Sequence, residues 1–131
     1  FGQLGAVIVL WDINETGNTE TLRLLTGMGV KARAYTVDLA DKEQIYSTAE
    51  KVKNELGDVY LVMNNAGVVC GKDLVDLPDK AMELTIDVNV KSLFYVSCWM
   101  KILVAAKSPW NFLRLCTVHE PEKRFCTVQF C

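Results

Sequence analysis

Three short apolar runs, residues 6–11, 31–37 and 59–63, are separated by two amphipathic segments, and this order leaves few folds open. Ala6-Val7-Ile8-Val9-Leu10-Trp11 is continuously apolar, as a strand buried on both faces must be. Residues 15–28 then place Leu22, Leu24 and Leu25 on one side of a helix stopped by Gly27 and Gly29. Lys31 to Val37 reads as the next strand. Asp41 caps a second helix through Leu56, on which Ile45, Ala49, Val52 and Leu56 form one apolar stripe. Val59-Tyr60-Leu61-Val62-Met63 is the third strand. Strand, helix, strand, helix, strand is the pattern of an α/β doubly wound parallel sheet.

Such sheets bind ligands beyond the carboxyl ends of their strands, so the polar residues at those ends are the candidates for chemistry. The first strand ends in Asp12-Ile13-Asn14, the second in Asp38-Leu39 and the third in Asn64-Asn65-Ala66-Gly67. A carboxylate at Asp12 can accept hydrogen bonds from both hydroxyls of an adenosine ribose and repel a 2′-phosphate, which favours NAD over NADP; it can equally be a turn aspartate. Asp38 can accept from an adenine amino group or close a turn. Gly67 supplies either a positive φ or an open backbone against which a flat ring can lie, and the two asparagines can tie neighbouring strands through their amides.

Gly27-Met28-Gly29-Val30-Lys31-Ala32 matches the G-x-G-x-x-A dinucleotide pattern but follows a helix and precedes a strand. Phosphate binding needs strand, turn and helix N-terminus in that order, so this segment is read as a helix C-cap.

A long helix starts at Pro78-Asp79 and runs through Met82, Leu84, Ile86, Val88, Val90, Leu93 and Val96 towards Ala106. Beyond Lys107 no clear period remains, which divides the chain into a domain at 1–106 and an irregular tail at 107–131. The length of 131 residues suits one domain. A net charge of −2 gives no electrostatic reason to expect nucleic acid. The five cysteines include no C-x-x-C and no metal-ligand spacing, and are read as reduced thiols. The longest apolar stretch, residues 94–106, is interrupted by Lys101 and too short to span a bilayer, and no segment has the parts of a signal peptide.

Asn64-Asn65-Ala66-Gly67 after a strand, Asp38-Leu39 after another, and a helix carrying Asp87-Val88-Asn89-Val90 resemble the short-chain dehydrogenase/reductase family. Val9-Leu10-Trp11-Asp12-Ile13-Asn14 and Asn65-Ala66-Gly67-Val68-Val69 resemble its branch of membrane-associated retinol and 17-beta-hydroxysteroid dehydrogenases. The resemblance covers about residues 1–100. It implies a partial NAD-binding Rossmann domain whose first strand, with its glycine-rich phosphate turn, and whose C-terminal part lie outside the chain. Asp12 and Ile13 would then contact the adenosine ribose, Asp38 and Leu39 the adenine, and Asn65, Ala66 and Gly67 the ribose and nicotinamide. Asn89 would be the catalytic-helix asparagine that orders a water in the proton relay; alternatively it bonds its own helical turn.

The same resemblance implies hydride transfer between nicotinamide and a hydrophobic alcohol or ketone, a retinoid or steroid. It also implies a homodimer through the long helix, and a place on the cytosolic face of the endoplasmic reticulum membrane or a lipid droplet, attached by segments outside this chain. The family's reaction uses a tyrosine with a lysine four residues later. Tyr35, Tyr46, Tyr60 and Tyr95 are followed at that spacing by Leu39, Glu50, Asn64 and Trp99, so the pair is not found here. The alternative is a catalytically inactive splice or truncated product. In the doubly wound order 3-2-1-4-5, the missing first strand belongs between Ala6–Trp11 and Val59–Met63, and its loss is expected to leave two apolar edges open, poor folding and weak or no NAD binding.

Overall fold

The computed structural model describes residues 1–71, 73–99 and 125–129. Its strands are β1 (Val7–Asp12), β2 (Ala32–Thr36), β3 (Leu61–Met63) and β4 (Phe125–Gln129); its helices are α1 (Glu15–Gly27), α2 (Lys42–Leu56), α3 (Asp79–Ile86) and α4 (Ser92–Trp99). The three apolar runs and both amphipathic segments fold as their periods require, into a parallel sheet with helices on both faces.

β1 is the core of the sheet because every second residue serves a different layer. Val9 and Trp11 enter a cluster with Val37, Leu39, Ile45, Ala49, Val52, Ala66 and Val96, beneath α2 and α4. Ile8 and Leu10 face the other way, with Val30, Ala32, Leu22 and Leu25 beneath α1. Leu24, expected on the apolar side of α1, is 53% exposed; only Leu22 and Leu25 of the three leucines reach the sheet.

Local chemistry fixes the helix ends. Asn14 caps α1 by accepting from the Gly17 N–H at 3.1 Å. Asp41 caps α2 by accepting from the Gln44 and Glu43 N–H groups at 3.1 and 2.9 Å, and the Gln44 N–H, then the Gln44 side chain at 3.0 Å, hold its carboxyl below the usual aspartate range. After Gly27, Gly29 takes φ 75° and donates to the Thr26 carbonyl, while Val30 donates to Leu25. This pair of bonds is a Schellman cap, so the G-x-G-x-x-A match is a helix stop, as its position in the chain required.

Two features depart from the sequence reading. The long helix is continuous through Trp99 but contains a π-helical turn, Asp87–Lys91, between α3 and α4; its expected extension to Ala106 lies outside the described residues. The two edges of β1 and β3 expected to be open are paired. The strand order is β2-β1-β4-β3, and Phe125–Gln129, from the tail expected to be irregular, lies between β1 and β3 and parallel to both. Phe125 to Gln129 pair with Val7 to Trp11, and Cys126 to Val128 with Leu61 to Met63. The backbone groups of two facing apolar strand edges need partners wherever water is excluded, and any extended segment can supply them.

Candidate functional site

All four strands run parallel, so the carboxyl ends of β1, β2 and β3 lie along one edge of the sheet, and the loops after them carry the residues singled out by sequence. At the end of β1, Asp12 is half-buried and its Oδ1 accepts from the Asn14 N–H at 2.8 Å. That bond holds the Asp12-Ile13-Asn14 turn and fixes the carboxylate, whose Oδ2 has no hydrogen bond among the described residues. Ile13 is 62% exposed beside it.

After β2, Asp38 Oδ1 accepts from Ala40 N–H at 2.9 Å, and the Asp38 N–H donates to Gln44 Oε1 at 3.1 Å. The Asp38 carboxylate thus organises the turn into α2. Leu39 is buried in the core with Val37 and Ile45, so its side chain belongs to packing and only its backbone is left to meet a ligand.

After β3, the four residues divide by role. Asn64 Nδ2 donates to Ser97 Oγ of α4 at 3.2 Å, so it ties the strand end to a helix rather than to a neighbouring strand. Asn65 is exposed, and Ala66 is buried in the core. Gly67 is exposed and does not have a positive φ, which removes the conformational reason for glycine. A Cβ there would meet Asn89 Oδ1 at 3.5 Å, an ordinary contact, so no protein neighbour excludes a side chain either.

Asn89 lies in the π-helical turn, and its side chain reaches back to the loop. Its Oδ1 accepts from the Val68 N–H at 2.8 Å and its Nδ2 donates to the Val68 carbonyl at 2.9 Å. Each polar atom of the amide thus bonds Val68, one residue beyond Gly67, and neither bonds its own turn among the described residues. Ser92, fully buried, donates from Oγ to the Val88 carbonyl at 2.6 Å, back-bonding the turn that presents Asn89. π-turns concentrate at functional positions because they re-aim one side chain out of helical register.

Sequence reading did not find Val68, Ser92 or Ser97. Val68 was quoted only as part of the motif after Gly67, and its role lies in its backbone, which no side-chain pattern reports; the serines were visible only as two hydroxyls within an otherwise apolar helical stretch. Asn18 was missed as well: it is buried in α1 and its Nδ2 donates to the Tyr35 carbonyl at 3.0 Å, locking α1 onto β2 behind the Asp12 turn.

The sequence and fold were compared with known proteins. The family described as Enoyl-(Acyl carrier protein) reductase matches residues 1–108. Human epidermal retinol dehydrogenase 2 is 48% identical over 93 residues, which is 70% of this chain and 30% of the relative. Human estradiol 17-beta-dehydrogenase 11 is 44% identical over 97 residues, 74% of this chain and 32% of the relative. The chain thus spans about a third of the length of these curated relatives. A metagenomic short-chain oxidoreductase solved in complex with NADP superposes with a TM-score of 0.72 at 28% identity, covering 80% of this chain and 48% of the other. A 7 alpha-hydroxysteroid dehydrogenase complexed with NADH and 7-oxo glycochenodeoxycholic acid gives 0.70 at 27% identity, covering 76% and 39%.

Proposed function

The chain belongs to the short-chain dehydrogenase/reductase family, in the branch of epidermal retinol dehydrogenase 2 and estradiol 17-beta-dehydrogenase 11, and from that premise we propose that it forms the adenosine and nicotinamide-ribose side of an NAD site. The oxidoreductase so served acts on a hydrophobic alcohol or ketone, a retinoid or a steroid. The observation that carries the reading is Gly67: neither backbone conformation nor a protein neighbour requires glycine there, and the space in front of it suits a ligand lying against the backbone. Asp12, whose turn bond fixes one carboxylate oxygen and leaves the other without a described partner, supplies an acceptor for ribose hydroxyls and a charge that disfavours a 2′-phosphate. Asp38 and the backbone of Leu39 serve the adenine, and Asn65 to Gly67 the ribose and nicotinamide.

NAD, when bound, supplies the hydride acceptor, and the residues of this chain bind and orient it. Asn89 acts as a positioning residue, since its amide holds Val68 and thereby sets where the Gly67 backbone lies. The apolar stripe of Met82, Ile86, Val90 and Phe94, 42–48% exposed and spaced by four, suits the family's homodimer helix. Among the described residues no helix is long and apolar enough to cross a membrane, so attachment to the endoplasmic reticulum or a lipid droplet would use other segments of the whole protein.

The test grafts residues 1–99 in place of the matching part of human epidermal retinol dehydrogenase 2. The chimera is expected to bind NADH and oxidise retinol with NAD. Asp12→Ala should weaken NADH binding about tenfold or more while sparing NADPH. A folded chimera without NADH affinity, or one whose affinity ignores Asp12→Ala, would sink the reading.

A further inference from the structure

The slot between β1 and β3 holds a strand from the far end of the sequence, and its place in the sheet gives it a consequence for the cofactor edge. In the doubly wound order, the strand beside the one that ends in the ribose acid is the one that runs into the glycine-rich turn and the helix N-terminus that together bind the pyrophosphate. β4 sits in that slot, parallel to its neighbours, with Gln129 opposite Trp11, so its carboxyl end lies at the same edge as Asp12 and Asn64. The residues that follow Gln129 are Phe130 and Cys131, and neither is the glycine with which a phosphate turn opens.

We propose that Phe125–Gln129 is an occluding strand: it completes the sheet by pairing with both β1 and β3, and while it does so it excludes a glycine-turn strand, and hence dinucleotide phosphates, from the same slot. Both strands require the same two ladders, and a slot one strand wide holds one of them. The exclusion half of this proposal rests on the cofactor-edge reading above; the pairing half does not.

Hydrogen exchange on the 131-residue chain separates the two. The Ile8 N–H bonds the Lys31 carbonyl and the Asp12 carbonyl accepts from Val37, so even-numbered residues of β1 address β2. The backbone groups of Val7, Val9 and Trp11 therefore address β4. Val128 pairs with Leu10 on one side and Met63 on the other, its N–H addresses Val9 of β1, and Val128→Pro removes that donor. Exchange of the Val9 and Trp11 amides is expected to accelerate about tenfold or more in Val128→Pro, with Ile8 and Leu10 changed less, and to stay at wild-type rates in Val128→Thr. Loss of protection throughout the chain in Val128→Pro but not in Val128→Thr also supports a central strand, because proline in an unpaired tail has no such effect. Unchanged Val9 and Trp11 exchange in Val128→Pro overturns the proposal.

For the exclusion, residues 100–131 are appended to the carboxyl end of the chimera of residues 1–99, which carries its own glycine-turn strand. NADH affinity is expected to fall several-fold and to be restored by Val128→Pro in the appended segment. Equal affinity with and without the segment overturns it. If the chimera of residues 1–99 fails to bind NADH while the exchange results hold, the cofactor-edge reading has failed and the strand pairing has not.

Discussion

Asn89 and Val68 are joined by two hydrogen bonds that use both polar atoms of the asparagine amide and both backbone groups of the valine, at 2.8 and 2.9 Å. The two residues are 21 apart in sequence, one in the π-helical turn and the other just beyond Gly67. A side chain that satisfies a residue's N–H and C=O together replaces a strand partner, so the loop is held as rigidly as a short ladder would hold it. The position of Gly67 thus depends on the helix.

Replacing Asn89 with leucine leaves both Val68 groups partly buried without partners. The expected loss is about 1–3 kcal/mol, read by denaturant unfolding, together with faster exchange of the Val68 amide. Asn89→Asp keeps the acceptor but sets an oxygen against the Val68 carbonyl, and is expected to lie between leucine and wild type. Equal stability of wild type and Asn89→Leu would show that the clamp is not formed in solution.

Gly67→Ala separates a turn glycine from a ligand-facing one. With no positive φ and a nearest contact of 3.5 Å, the added methyl is expected to change stability by less than about 1 kcal/mol, in either direction. NADH affinity of the chimera is expected to fall. A marked loss of stability with unchanged affinity would assign the glycine to folding alone.

Core and surface leucine-class positions should differ sharply. Ile45 is fully buried on the sheet-facing side of α2, and Ile45→Ala is expected to cost about 2–5 kcal/mol. Leu24, despite its place in an apolar-looking triplet, is 53% exposed, and Leu24→Ala should fall within about 0.5 kcal/mol of wild type. Urea titration of both variants measures the contrast.

Tyr35 carries a pH signature. Burial, and then its hydroxyl donating to Glu55 Oε2 at 2.7 Å, push the phenol from 10 up to about 12. The fold favours the neutral phenol, so the stabilisation is complete below pH 10 and is lost as pH rises through about 12. Phenolate absorbance should show one tyrosine ionising late, and Tyr35→Phe should remove that step and flatten the fall in stability over the same window.

The strand ends were legible because each joins two local signals, an apolar run and turn-forming polar residues. Asp12, Asp38 and Asn64 to Gly67 therefore lay where the alternation of strand and helix put them, and all three loops do follow the same edge of the sheet. Which of their side chains face outward was not legible. Leu39 and Ala66 turn into the core, and Asn64 turns to Ser97, because neighbours distant in sequence decide those orientations. The π-turn was hidden for a related reason: one residue of extra register leaves the apolar spacing of a helix almost unchanged, and the bonds from Asn89 and Ser92 that accompany it are tertiary or internal to the turn.

By itself the sequence determined the periodicities, the caps at Asp41 and Gly29, and hence the parallel α/β architecture with its polar edge, since each follows from residues a few positions apart. The tertiary structure decided what fills the centre of the sheet. Strand pairing is made by backbone groups that every residue carries, so Phe125–Gln129 shows no pattern that marks it for β1, more than a hundred residues earlier. What identifies it as a strand is its place in the sheet, where its backbone pairs with β1 on one side and β3 on the other.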